Sequence, residues 1–184
     1  MTTTDGRDVA RFIRDQHEEI KRLMAQVDGR TGDERQAAFE ELVHLLAVHE
    51  TAEEVVIYPV VRSEPGGDEV VDLRTQEEGE AKRMLADLEK VDTGSDEFAP
   101  RFNVLRDAVL RHATSEEKTV LPLLERTQDQ DKLDRLGQAV RAAEKLAPTH
   151  PHPNAPDSAL GNVAVGPMAA VIDRTRDALR DLTR

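Results

Sequence analysis

The chain contains no cysteine, and this absence limits the kinds of metal site it can form. Without thiols there are no disulfide bonds, zinc–thiolate sites or iron–sulfur clusters. Any bound metal ion must therefore be held by histidine nitrogens and carboxylate oxygens. Tryptophan is also absent and aromatic residues make up only 3% of the chain. The abundant Leu, Ala, Glu, Lys and Arg favour helices over strands.

An excess of positive charge is missing as well. The 184 residues include 25 Lys and Arg against 37 Asp and Glu, a formal net charge of −12. Nucleic acids and anionic lipid surfaces attract basic proteins, so neither is expected as a partner. No apolar run approaches the ~20 residues of a membrane span, and the N-terminal residues lack the apolar core of a signal peptide. These features predict a cytoplasmic protein.

Four long segments carry apolar residues at helical spacing. They cover about 4–27, 33–62, 68–91 and 100–126, with Asp33 predicted as the N-cap of the second segment. Short turns between long amphipathic helices predict antiparallel neighbours. The predicted fold is therefore all-α, an up-down-up-down four-helix bundle over residues 1–128.

The C-terminal part is predicted to add elements to this bundle. We expect a further helix over 129–147 and a proline-rich linker over 148–165, where four prolines fall within nine residues. A last amphipathic helix is predicted over 166–184. His150 and His152 lie in the linker, where we expect solvated side chains.

A thirteen-residue motif occurs twice in the sequence, over residues 49–61 and 112–124. Each copy places a histidine four residues before a glutamate, which on a helix brings both side chains to one face. One such pair, His49 with Glu53 or His112 with Glu116, is usually an exposed ion pair. Two matching copies within one bundle instead predict a metal site.

The repeat extends to the other two helices, because residues 16–24 align with 77–85. The chain therefore looks like a duplicated helical hairpin, and Glu78 stands where the first half has His17. The flanking Glu77 and Glu80 leave a solvated side chain as the alternative to a ligand role for Glu78. In an up-and-down bundle these positions come level with the two histidine–glutamate pairs. Six candidate metal ligands then converge in the core: His17, His49, Glu53, Glu78, His112 and Glu116. Ferritin-like di-iron bundles use Glu-x-x-His instead, so this is a different class of site.

At these motifs the chain resembles the hemerythrin-like family, also called HHE cation-binding domains. The resemblance spans roughly residues 5–126. Three motifs carry it: Asp15-Gln-His17-Glu-Glu, His49-Glu-Thr-Ala-Glu53-Glu with Tyr58-Pro59, and His112-Ala-Thr-Ser-Glu116-Glu with Leu121-Pro122. The resemblance implies a four-helix bundle that holds two iron ions with bridging carboxylates and an oxo or hydroxo bridge.

The resemblance also implies roles for individual residues. Glu53 and Glu116 would bridge the irons, His17 and His49 would bind one iron, and His112 the other. The third helix departs from the family, because the histidine expected there is replaced by Glu78. A site richer in anionic oxygen favours Fe(III) over Fe(II), which makes reversible oxygen carriage a weaker interpretation than redox or peroxide chemistry.

Two further residues are additional ligands or partners of ligands in this interpretation. Glu50 follows the second-helix histidine, a position from which some relatives coordinate metal. Tyr58 lies about 180° around an ideal helix from His49, so a core or capping role is expected, with a phenolate ligand as the alternative. Glu54 and Glu117 recur in the repeat either as partners of ligating histidines or as solvated residues.

The predicted function is a non-heme di-iron protein that binds a small molecule: O2, H2O2 or NO. One alternative is a peroxide-decomposing, catalase-like enzyme, so the sequence leaves catalysis open. Another is an iron or oxygen sensor, or an iron-holding protein, that signals through its C-terminal tail. Manganese and zinc accept the same ligands and are not distinguished from iron at this stage.

Overall fold

The structure is a computed structural model that describes residues 8–145 and 147. The described residues form seven α-helices and one π-helical segment, with no strand, so the all-α prediction is confirmed. In chain order these are α1 (Val9–Gly29), α2 (Gly32–Ala52), the π segment (Glu53–Ile57), α3 (Tyr58–Arg62), α4 (Gly67–Leu88), α5 (Phe98–Lys118), α6 (Val120–Thr127) and α7 (Gln130–Glu144).

Four arms make the bundle: α1, the continuous run from α2 to α3, α4, and α5 followed by α6. The predicted cap of the second arm is wrong. That arm begins at Gly32, and its N-cap is Thr31, two residues before Asp33. Gly32 has a φ of 56°, a left-handed value that glycine adopts without a clashing Cβ, and this turns the chain into the helix earlier.

The two copies of the repeat break their helices in different ways. In the first copy the Tyr58 N–H donates to the Glu53 carbonyl, five residues back, which is the π-helical pattern. Pro59, which has no N–H to donate, follows at once. In the second copy α5 ends at Lys118. Its C-cap Thr119 has a φ of −122° and a ψ of −56°, which lie outside the helical region, three residues before Pro122.

The apolar core consists of two clusters, one toward each end of the bundle. One contains Ile13, Ile57 and Leu121 with residues of α7, and the other contains Ile20, Leu42 and Phe102 with residues of α2 and α4. Along α1 the clusters are separated by His17, which lies between Ile13 and Ile20. The boundary between the clusters is where the predicted site residues lie.

Helix α7 lies outside the four arms and packs on α1, α2 and the π segment. It begins after Asp129, whose side chain accepts from the Lys132 N–H, and it buries Leu133, Leu136 and Val140. No helix in the described part is long and apolar enough to cross a membrane. The predicted linker and last helix, with His150 and His152, lie outside the described residues.

Candidate metal centre

A layer of buried charged side chains separates the two apolar clusters. All six residues predicted as ligands lie in it, and none exposes more than 7% of its surface: His17, His49, Glu53, Glu78, His112 and Glu116. Burying a charged group costs on the order of several kcal/mol of folding free energy unless the group is paired or binds a cation. One such cost is a large part of the total stability of a domain. Packing alone therefore does not explain this layer.

The six residues form two groups that share two carboxylates. His17 and His49 join Glu53 and Glu116 in one group, which we call position A. Glu78 and His112 join the same two glutamates in the other, position B. Within each group, one nitrogen or oxygen atom from each residue lies within 4.8 Å of the others. The arrangement suits two ions held side by side with both carboxylates between them.

Several atoms at the centre have no hydrogen-bond partner although they are buried. They are Nε2 of His17 and His112 and Oε2 of Glu53, Glu78 and Glu116. The Nε2 atoms of His17 and His112 lie 3.3 Å and 3.5 Å from Glu116 Oε2, and His49 Nε2 lies 3.4 Å from Glu53 Oε2. A buried polar atom without a partner costs ~1–3 kcal/mol. Cations bound between these nitrogens and oxygens would satisfy them.

Each histidine is oriented by an acceptor at its other ring nitrogen. The Nδ1 atom lies 2.8 Å from Glu117 Oε1 in His17, 3.0 Å from Gln16 Oε1 in His49, and 3.0 Å from Glu77 Oε2 in His112. An oxygen acceptor places the ring hydrogen on Nδ1 and leaves the Nε2 lone pair facing the centre, as metal-binding histidines require.

These contacts decide one alternative that the sequence left open and add two residues that it missed. Glu117 is the partner of a histidine rather than a solvated residue. Gln16 and Glu77 were not predicted, yet they occupy matching positions in the duplicated hairpin, each directly before a candidate ligand. That match in the sequence is the signal that points to them.

Tyr58 lies inside the centre and not on the opposite side of its helix. It is 3% exposed, and its hydroxyl hydrogen-bonds to Oε1 of Glu78 and, at 2.9 Å, to Oε1 of Glu116. The π segment explains the difference, because residues five apart share a face there, so Tyr58 lies above Glu53. Tyr58 also belongs to the apolar cluster that contains Ile13 and Ile57, so it has the expected core position and in addition contacts two candidate ligands.

Glu50 and Glu54 are buried beside the centre but belong to neither ligand group. Lys82 contacts both, with its Nζ 3.7 Å from Glu50 Oε2 and hydrogen-bonded to Glu54 Oε1. Glu54 is therefore the partner of a lysine, unlike its counterpart Glu117. The structure gives Glu50 an ammonium partner where the sequence suggested an additional metal ligand.

Comparison with known proteins agrees with this geometry. The family profile of the hemerythrin HHE cation-binding domain matches residues 8–124. The chain belongs to this family. An uncharacterized hemerythrin-like protein of Schizosaccharomyces pombe is 28% identical over 141 residues, which cover 76% of this chain and 70% of that protein.

Two other relatives show how far the similarity extends. A crystal structure of a hemerythrin HHE cation-binding domain-containing protein from Mycobacterium kansasii matches with a TM-score of 0.69 and 20% identity, covering 92% of this chain and 99% of that one. It supports the helical-bundle fold of this HHE domain. A DNA nickase of Nostoc sp. is 27% identical over 133 residues, but these are 72% of this chain and only 38% of that protein.

Burial and mutual repulsion determine how the carboxylates of this HHE domain ionise without a cation. Burial, together with repulsion from Glu116, raises the pKa of Glu53 well above its usual value, and burial does the same for Glu78. Burial also opposes ionisation of Glu116, but attraction to the histidines outweighs it and lowers the pKa to about 2. Protons therefore occupy part of a site whose atoms are arranged for cations.

The histidines of the HHE domain respond to the same surroundings. Burial, with repulsion from His17, lowers the pKa of His49 to about 3, so its imidazole is neutral near pH 7. Burial disfavours charge on His112 too, but Glu116 and Glu77 outweigh it and raise its pKa. Imidazoles bind metal ions in the neutral form, so His49 is available as a ligand.

A small cavity of about 10 Å³ adjoins both ligand groups of the HHE domain. Ile20, Leu46, Ala81 and Val109 form its apolar walls, and His49 and His112 are among its polar ones. This volume accommodates about one water-sized molecule.

Proposed function

We propose that this HHE domain is a non-heme di-iron protein that binds O2 or a reactive oxygen or nitrogen species at its iron pair. The observation that carries the proposal is that Glu53 and Glu116 belong to both ligand groups. Carboxylates shared between neighbouring cations are typical of two-metal centres. In this proposal His17 and His49 hold the iron at position A, and Glu78 and His112 hold the iron at position B.

The donor set favours iron over softer metals. Imidazoles and carboxylates suit iron, manganese and zinc, whereas copper(I) prefers the sulfur ligands that this chain lacks. Position B offers three carboxylates and one imidazole, a set that favours Fe(III). The oxo or hydroxo bridge implied by the family resemblance is part of the proposal.

Bound iron would supply Lewis acidity and one-electron chemistry, and the chain would supply orientation and a dry surrounding. Glu117, Gln16 and Glu77 hold the three imidazoles with Nε2 toward the centre. Tyr58 keeps a hydroxyl proton at the carboxylates, because burial raises its pKa well above the usual value. The small cavity beside both ligand groups supports a small molecule as the substrate.

Metal analysis of the full chain tests the proposal directly. Protein purified from iron-supplemented cells is expected to contain close to two iron ions per chain and to show the near-ultraviolet bands of oxo-bridged iron. The Glu80→Gln variant, which changes an exposed glutamate of α4, is the matched control and should behave like the unmodified protein. Well under one iron per chain after reconstitution, without these bands, would reject the proposal.

A second candidate function is decomposition of hydrogen peroxide at the same centre, converting two peroxide molecules into one O2 and two waters. The specific observation that favours it is Glu78, which makes position B rich in anionic oxygen. Oxygen release from peroxide, followed with an electrode, should be lost in Glu53→Gln and Glu116→Gln. Release that persists in both variants would count against this candidate.

A further inference from the structure

Helix α7 reaches the metal centre through two side chains. Glu144, the last residue of α7, accepts a hydrogen bond at Oε1 from Nε2 of Gln16 on α1. The other end of the Gln16 amide, Oε1, lies 3.0 Å from Nδ1 of His49. These contacts connect a helix outside the four-arm bundle to a candidate ligand of position A.

The chemistry of the amide gives this connection a direction. A glutamine side chain has one donor end and one acceptor end, whereas an ionised carboxylate only accepts. Glu144 therefore takes the NH2 end of Gln16 and leaves the carbonyl end for His49. A carbonyl can only accept, so the ring hydrogen of His49 resides on Nδ1 and the Nε2 lone pair is free.

We propose that Glu144 is a positioning residue that fixes the tautomer of His49 by setting the orientation of the Gln16 amide. Without Glu144, the amide is free to rotate and to present its NH2 group to Nδ1. That orientation favours the tautomer with hydrogen on Nε2, which cannot bind a cation at position A. The inference rests on the proposed function only in taking Nε2 of His49 as a ligand.

His49 is the one candidate ligand whose orientation depends on such a relay. His17 and His112 contact carboxylates, Glu117 and Glu77, which accept through either oxygen and have no donor end. These two imidazoles keep hydrogen on Nδ1 however their partners rotate. They are therefore internal references for any change at His49.

The test uses metal-free full-length protein labelled with 15N at histidine. Long-range proton–nitrogen NMR spectra distinguish the two neutral tautomers of an imidazole. The unmodified protein is expected to show His49 with hydrogen on Nδ1. Glu144→Ala should give a mixture of tautomers at His49, while the signals of His17 and His112 stay in place.

Two further variants make the test specific. Gln16→Glu combined with Glu144→Gln reverses the polarity of the relay, because residue 16 now only accepts and residue 144 can donate. This double variant should restore the single Nδ1–H form. Glu125→Ala is the matched control. Glu125 of α6 also pairs with a residue of α1, but that residue is Arg14, at 2.7 Å, and not Gln16. This variant should leave the tautomer of His49 unchanged.

A single Nδ1–H tautomer in Glu144→Ala would overturn the proposal, and so would a mixture in the double variant, which retains the volume of both side chains. A second measurement then determines metal affinity, with zinc as the probe. Glu144→Ala should weaken zinc binding about 10- to 100-fold and the double variant should recover it. Because the tautomer is read without metal, failure of the relay is distinguishable from failure of the di-iron proposal.

Discussion

The hydroxyl of Tyr58 lies 2.9 Å from Oε1 of Glu116, a residue of the other copy of the repeat. The same hydroxyl hydrogen-bonds to Glu78 on α4. One phenol therefore connects the second arm of the bundle with candidate ligands of the third and fourth arms. The second copy of the repeat has Leu121 at the matching position, so Tyr58 has no hydroxyl-bearing counterpart in that copy.

Replacing Tyr58 by Phe tests what this hydroxyl contributes. We expect Tyr58→Phe to keep the metal content of the protein but to lower the free energy of unfolding of the metal-free form by ~1–3 kcal/mol, because two buried carboxylates lose a partner. Denaturant titration and metal analysis measure both effects. Thr51→Val is the control, since Thr51 bonds only to the Ala47 carbonyl of its own helix. Loss of iron together with a visible tyrosinate–iron band would show instead that Tyr58 is a ligand.

The shared carboxylates should differ from the histidines in how many ions each affects. Glu53→Gln or Glu116→Gln is expected to weaken binding at both positions, whereas His49→Ala should affect position A and His112→Ala position B. Glutamine keeps the volume of the side chain, so packing is preserved while the charge is lost. Metal content per chain and calorimetric titration count the ions.

Glu50→Gln is the matched control for these variants, because Glu50 is buried beside the centre but belongs to neither ligand group. It should retain both ions. Equal losses for Glu53→Gln and His49→Ala would contradict the assignment of Glu53 to both positions.

The height along the bundle at which the six candidate ligands meet was predictable, because residue spacing in a helix determines which side chains share a face. His49 and Glu53 share a face at four-residue spacing, and the matching His112 and Glu116 fix the second pair. The duplicated hairpin then brought in His17 and Glu78. Periodicity and repetition can be read from the sequence alone, and the folded helices keep the spacing that both depend on.

The features that the sequence did not reveal depend on departures from the ideal helix or on packing between helices. Tyr58 enters the centre only because the π segment changes the helical period just before it. Glu50 and Glu54 contact Lys82 of α4, and Gln16 hydrogen-bonds to Glu144 of α7. Such contacts depend on the rotation of one helix against another, which the spacing within a single segment does not determine.

The partner of His17 should matter for one position more than the other. Glu117→Ala removes the acceptor at Nδ1, 2.8 Å away, and lets the imidazole rotate or change tautomer. We expect binding at position A to weaken by about 10- to 100-fold and binding at position B to change little. Calorimetric titration with zinc separates the two positions. Glu18→Ala, an exposed change on α1, is the control, and an equal effect on both positions would argue against this orienting role.

The stability of the metal-free protein should fall as pH rises above 6.5. Burial raises the pKa of Glu53 and Glu78, and that of Glu50 to about 7, so the native state holds protons that the unfolded state has released. The raised pKa of His112 acts in the same direction. Each group that stays protonated only in the native state removes up to about 1.4 kcal/mol of stability per pH unit.

For two other groups the contribution to stability increases with pH, but this increase occurs at lower pH. The pKa of His49 is lowered to about 3 and that of Glu116 to about 2, so their contributions are complete above the unfolded-state values of 6.5 and 4.5. Thermal midpoints of the metal-free protein should therefore drop between pH 6.5 and 8. Glu53→Gln combined with Glu78→Gln should flatten this slope, and a slope as steep in that variant would refute the explanation.

Lys82 should be a major contributor to stability although it is not a candidate ligand. It is the ammonium partner of two buried carboxylates, and Lys82→Met leaves Glu50 and Glu54 without it. We expect the free energy of unfolding to fall by ~3–5 kcal/mol. Lys90→Met is the matched control: Lys90 pairs with Asp87 at 2.8 Å, but both side chains are at least 70% exposed, so the loss should stay below ~1 kcal/mol.

The loss in Lys82→Met should also depend on pH. Burial raises the pKa of Glu50 to about 7 even though Lys82 lowers it, so removing the ammonium raises it further. A carboxyl group with a raised native pKa loses stability as pH increases, since it must ionise while buried or keep a proton that the unfolded chain gives up. Guanidinium unfolding of Lys82→Met should therefore show a larger loss at pH 8 than at pH 6. Equal losses at the two pH values would mean that Lys82 acts through packing alone.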